Sequence, residues 1–157
     1  MYRHHCPPAQ DHGSGMLSQR ARYALKALIN IARAGAGPQQ VSAIAEQETI
    51  PRKFLETIMS DLRRAALVTS TRGNAGGYRL ARPADLITFA DVLRATDGPI
   101  SMLPCVSRNF YERCEDCSDE MTCALRRTFS EVRDAVNAVL EHHTLAAAIA
   151  AEVEPSL

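Results

Sequence analysis

Four cysteines stand within nineteen residues: Cys105, Cys114, Cys117 and Cys123. The fifth, Cys6, lies far away near the N-terminus. Thiolates bind soft metals and react with oxidants, so a local group of them is a chemical site before it is a structural one. Three chemistries suit it. Iron–sulfur clusters are held by thiolates and tuned by exposure and nearby charge. Four-cysteine zinc sites usually show paired short spacings, and only Cys114-x-x-Cys117 is a close pair. Neighbouring reduced thiols can also form a reversible disulfide. The acids Glu112, Glu115, Asp116, Asp119 and Glu120 oppose thiolate formation, with Arg108 and Arg113 as a partial offset. No nucleophile–base pair, phosphate-binding loop or paired carboxylate motif points to an enzyme.

The elements around these cysteines divide by charge. From Met16 to Pro83 there are eleven Lys/Arg against four Asp/Glu; from Ala84 to Leu157 there are six against thirteen. A basic front half is the electrostatic footprint of a phosphate-backbone binder. No apolar run is long enough to span a bilayer, and residues 1–15 lack the apolar stretch of a secretory signal. A cytoplasmic protein is expected, in which thiols stay reduced unless they bind metal or sense oxidants.

The local pattern is helical first. Ser18 is a suitable N-cap for a helix to Ala34, with Tyr23, Ala24, Ala27, Leu28 and Ile31 as its apolar stripe. A second helix spans about Val41 to Gln47. After a short turn, Pro51 opens a third, which runs to about Ala66 with Phe54, Leu55, Ile58, Met59 and Leu62 on one face. Helix, short turn, helix at this spacing is the helix-turn-helix pattern. The β-branched run Leu67–Thr71, the turn Arg72-Gly73-Asn74-Ala75-Gly76-Gly77 and the strand Tyr78-Arg79-Leu80 make a hairpin, and hence a wing. Thr88 to Ala95 reads as a short helix with Thr88 and Asp91 at capping-box spacing. A long helix from about Cys123 to His142 carries Leu125, Phe129, Val132, Val136 and Val139 as a packing seam. Thr144 caps a small helix, Leu145 to Glu152.

The third helix would then read DNA. Arg52 or Lys53 suits guanine or phosphate, and Thr57 suits a thymine methyl or a base hydrogen bond. Glu56 can accept from the cytosine amino group, or form an i,i+4 ion pair with Arg52 worth about 0.3–0.5 kcal/mol. Arg72 at the hairpin tip suits a narrow minor groove, with small neighbours such as Gly73 permitting close approach. Tyr78 completes the expected DNA-binding set.

The run Phe54-Leu55-Glu56, Leu62-Arg63-Arg64-Ala65-Ala66-Leu67-Val68 and Arg72-Gly73-Asn74-Ala75-Gly76-Gly77-Tyr78-Arg79-Leu80 resembles the winged helix of the Rrf family of bacterial regulators, which includes IscR, NsrR and RirA. The resemblance covers about Met16 to Glu152, with Met16 as the family's usual start. It implies a dimeric transcription factor, with an iron–sulfur cluster, 2Fe-2S or 4Fe-4S, on a loop before a long dimerisation helix. It also implies Cys105, Cys117 and Cys123 as ligands. The gap before Cys117 is longer than the family's and contains Cys114, a candidate fourth ligand or a replacement for Cys105. Arg126 stands where IscR-like proteins place a ligand His, and Arg22 where some relatives place an acid from the other subunit.

The expected protein is mainly α with a small β-hairpin wing. Its segments are an extension or misassigned start (1–15), a winged helix-turn-helix (16–83), a connecting helix and linker (84–103), a cysteine loop (104–122), a dimerisation helix (123–143) and a short C-terminal helix and tail (144–157). Its expected function is a homodimeric repressor that binds a two-fold operator in double-stranded DNA under control of the cysteine loop. A cluster-free thiol sensor and a metal-binding protein that does not read DNA are the alternatives.

Overall fold

The computed structural model describes residues 17–153; the expected extension and Cys6 lie outside them. Helix α1 (Gln19–Ala34) starts where Ser18 accepts a hydrogen bond from the Ala21 amide, 2.9 Å. This satisfies one of the donors that every helix N-terminus leaves unpaired. Helices α2 (Val41–Gln47) and α3 (Arg52–Arg64) follow. The turn between them puts Thr49 at φ 55°, and the Ile50 amide reaches back to the Ala45 carbonyl at 2.9 Å. That six-to-one bond is a Schellman closure of α2, made without the usual glycine. The end of α3 repeats it, with Ala66 at φ 55° and the Leu67 amide on the Leu62 carbonyl at 2.9 Å.

Leu28, Ile44, Leu55, Ile58, Met59 and Leu62 are fully buried and form the centre of one core. Burying such a side chain stabilises by roughly 1.5–3 kcal/mol. Phe54, expected on the apolar face of α3, instead packs its ring edge-on against Tyr23, centroids 5.8 Å apart, and stays partly exposed. Buried Asp61 pins α3 to α1 by an ion pair with Arg20 and pairs with Arg64 within α3.

The wing is an antiparallel pair, β1 (Val68–Thr71) and β2 (Gly77–Leu80), in register from Val68 opposite Leu80 to Thr71 opposite Gly77. Gln39 adds a bridge, exchanging both backbone hydrogen bonds with Tyr78 at 2.8 Å. The two glycines make this approach feasible. A Cβ on Gly77 would lie 2.5 Å from the Gln39 carbonyl oxygen, and one on Gly76 2.3 Å from that of Thr71.

After a 3-10 turn at Ala84–Leu86, α4 (Phe89–Thr96) begins with a complete capping box between Thr88 and Asp91, at 3.1 and 3.0 Å. A second 3-10 turn, Pro104–Val106, opens the cysteine loop. The loop ends at α5 (Ala124–His142), and α6 (Leu145–Val153) comes back onto α1. Leu145 is fully buried, and its amide bonds the Ile87 carbonyl at 3.0 Å. Within α5 the only buried residue is the polar Asn137. Leu125 and Val139, at the two ends of the expected seam, are 64% and 57% exposed. No helix among the described residues is long and apolar enough to cross a membrane.

Candidate functional site

The four cysteines come from three kinds of backbone. Cys105 sits in the 3-10 turn and is buried. Cys114 and Cys117 bracket a tight turn closed by the Cys117 amide on the Cys114 carbonyl, 3.3 Å. Cys123 is the N-cap of α5, where no side chain satisfies the helix amides. Cys114 lies beside Cys105, and Cys117 beside Cys123, each close enough for its neighbour to raise the thiol's pKa. The thiols therefore form two pairs joined by the Cys114–Cys117 turn.

The electrostatics favour the protonated thiol at Cys114 and Cys117. The Cys114 thiol is pushed above the ordinary range, first by its hydrogen bond to Cys105, then by desolvation and the neighbouring negative groups, Asp116 included. Desolvation raises Cys117, with Cys123 and Glu120 adding to it and Arg113 opposing. Bare thiols so placed are slow nucleophiles.

Arg126, at the position where the resemblance expected a histidine, is committed elsewhere. It pairs with Glu120 at 2.8 Å and lies 5.7 Å over the Tyr111 ring, while the Tyr111 hydroxyl donates to Glu120. This clasp ties the loop segment before Cys114 to the first turn of α5. Arg113 donates to the Cys117 carbonyl at 3.1 Å and holds the loop from inside.

The donor set is all thiol, which suits soft metals. A tetrahedral zinc needs its ligands around one point. Among the described residues no three His, Cys, Asp or Glu side chains converge in that way.

The other candidate surface lies across α3 and the wing. Arg52, Lys53, Glu56 and Thr57 are all exposed on one side of α3. The Arg52–Glu56 pair forms at 3.0 Å. The Thr57 hydroxyl donates to the Lys53 carbonyl at 3.3 Å, leaving its methyl and lone pairs outward. Arg72 and Gly73 are exposed in the hairpin turn, with Gly73 at φ 105°. Gln40 donates to the Asn74 carbonyl at 3.0 Å and Arg63 to Ser70 at 3.3 Å, so the wing is braced against α2 and α3. Tyr78 lies elsewhere than its expected companions. It is half-buried against the core and anchors the wing at Gln39.

The sequence reading missed a polar network on α5. Asn137 donates to the Ile100 carbonyl at 3.3 Å and accepts from Arg94 of α4 at 2.8 Å. Arg133 donates to the Val106 carbonyl. Arg108 pairs with Asp134 at 2.8 Å. The one local signal was an asparagine beside Val136 in an otherwise apolar seam.

Comparison with known proteins places this arrangement. A family model described as Rrf2, an iron-dependent transcriptional regulator, matches residues 17–151. A helix-turn-helix regulator of Rhodobacter capsulatus described as rrf2-like is 42% identical over 121 residues, 74% of this chain and 81% of its own. The solved structure of CymR, the global cysteine regulator of Bacillus subtilis, superposes with a TM-score of 0.70 at 36% identity, covering 85% of this chain and 95% of CymR. That of T. potens IscR has a TM-score of 0.70 at 26% identity, covering 92% and 94%.

Proposed function

Because this chain belongs to the Rrf2 family of winged helix-turn-helix transcriptional regulators, we propose that it is a homodimeric repressor whose grip on its operator follows the state of an iron–sulfur cluster bound by Cys105, Cys114, Cys117 and Cys123. The observation that carries this reading is the gathering of four free thiols in two neighbouring pairs, with Cys123 at the uncapped N-terminus of α5. That end of a helix attracts negative charge, and a thiolate-held cluster is anionic. When bound, the cluster supplies a centre whose stability responds to iron supply, oxidants and nitric oxide.

The chain's own residues do the rest. Arg52, Lys53, Glu56 and Thr57 enter the major groove, and Arg72, with Gly73 beside it, enters the adjoining minor groove. Tyr78 supports the wing from below. Two copies pair through the seam of α5, which matches the two-fold symmetry of an operator. Exposed Leu125 and Val139 are the surface this pairing would cover.

Anaerobic purification of the full chain tests the reading through visible absorption and through iron, acid-labile sulfide and zinc per dimer. A brown protein with iron and sulfide, bleaching in air, is expected. Cys117→Ala should lose both. A colourless protein from iron-replete anaerobic cells, or full iron in Cys117→Ala, would overturn the ligand set. One observation favours a second reading, a cluster-free thiol switch: each pair of neighbouring thiols is also a disulfide precursor. It predicts two thiols lost per pair on oxidation, without iron.

A further inference from the structure

We infer that Asn137, with Arg133 below it and Arg94 above it, is the positioning device that transmits the state of the thiol loop to the DNA-reading domain. The inference rests on the proposed control of operator binding by that loop.

The linker after α4 and the start of the loop must satisfy their backbone carbonyls, because buried polar groups without partners cost stability. Two of these carbonyls are taken by side chains of α5. Arg133 holds the carbonyl of Val106, the residue next to buried Cys105, and Asn137 holds that of Ile100. Asn137 also accepts from Arg94 at 2.8 Å, and Arg94 pairs with Glu141 one turn further along α5. Arg94 belongs to α4, whose neighbours Val92 and Leu93 are buried and whose helix packs on α1 and α3. Every link from Cys105 to the recognition helix is thus a directional hydrogen bond or a packed core contact. A peptide plane shifted at Cys105 moves the Val106 carbonyl, and Arg133 must follow or let go.

A purely structural role gives a different result. If Asn137 only satisfies a carbonyl, its removal lowers stability but leaves the effect of the loop on DNA binding intact. Coupling between two sites is a ratio of affinities, typically 5–150-fold. It is that ratio, rather than either affinity, which the network should set.

The test measures operator affinity by fluorescence anisotropy for the full-length dimer in two states: as purified anaerobically, and after oxidation in air with chelator. Iron content and free thiols are counted in parallel. The wild type should show affinities that differ severalfold or more between the states. In Asn137→Ala and in Arg94→Gln the ratio should fall to within about twofold, with iron and thiol counts unchanged. Arg94→Gln alters an exposed side chain and keeps the inference testable should Asn137→Ala fold poorly. Arg94→Lys, which keeps a donor to Asn137, should recover part of the ratio. A wild-type ratio preserved in Arg94→Gln would overturn the inference while leaving the proposed function standing. A wild type whose affinity ignores its thiol state would overturn both.

Discussion

The two halves of this molecule are held together by different forces. In the winged helix, Leu28, Leu55, Ile58 and Leu62 are sealed from solvent and share one core with Leu145. From the cysteine loop through α5, the only buried residue of a nineteen-residue helix is an asparagine, while Phe110, Met121, Leu125 and Val139 face outward. Hydrogen bonds and ion pairs fasten this region. Within one protomer, the reading module is sealed by a packed core and the thiol module is fastened to it by polar contacts. Packed cores resist small displacements, whereas exposed ion pairs are each worth under about 1 kcal/mol and exchange readily.

The largest effect that can break this contrast lies in the core. Leu55→Ala should cost about 2–5 kcal/mol through lost contacts and a residual cavity, read by urea denaturation. Met121→Ala, in the loop and 88% exposed, should stay within about 0.5 kcal/mol. Equal losses at the two positions would erase the distinction drawn here.

Next is Arg72→Ala. If the wing enters the minor groove, specific operator binding should weaken by about 1–3 kcal/mol, with no change in folding stability. An unchanged affinity would remove the wing from the reading surface and confine it to α3.

Smaller, and of opposite sign, is Ala66→Gly. A left-handed conformation strains any residue with a Cβ, and Ala66 holds φ 55° at the end of α3. Relief of that strain, less the greater flexibility of glycine when unfolded, should raise stability by about 0.5–1 kcal/mol. A lower urea midpoint would show that the strain is absent.

The finest distinction concerns the thiols. With Cys114 and Cys117 held above the ordinary range, alkylation of the metal-free protein at these positions should lag behind a free cysteine near pH 8. The rates should converge only as pH rises further, because the thiolate is the reacting form. Equal rates at pH 8 would mean that the loop does not shield them.

Much of the reading half was legible from local pattern. Apolar positions three and four apart place α1 and α3, Thr88 and Asp91 form the expected capping box, and the Gly76-Gly77 pair marks a close backbone approach. The expected helix-turn-helix and wing are present, and the family resemblance on those residues holds. The thiol half was legible in composition but hardly in geometry. That Cys114 pairs with Cys105 and Cys117 with Cys123 depends on how an irregular loop folds. Arg133 reaches a carbonyl 27 residues away and Arg94 a side chain 43 away. Hydrogen bonds across such distances leave no periodic trace. Tyr78 illustrates the same limit: an amphipathic ring beside a wing looks like a DNA contact until its packing is known.

The burial of Leu145 has a consequence for how the protein is made. Chains emerge N-terminal end first, and domains generally fold as units. Here the core behind the recognition helix lacks one of its buried residues until α6 has been synthesised, after the whole cysteine loop and α5. On the ribosome, the core behind the recognition helix is therefore completed only after the cysteine loop and α5 have been made.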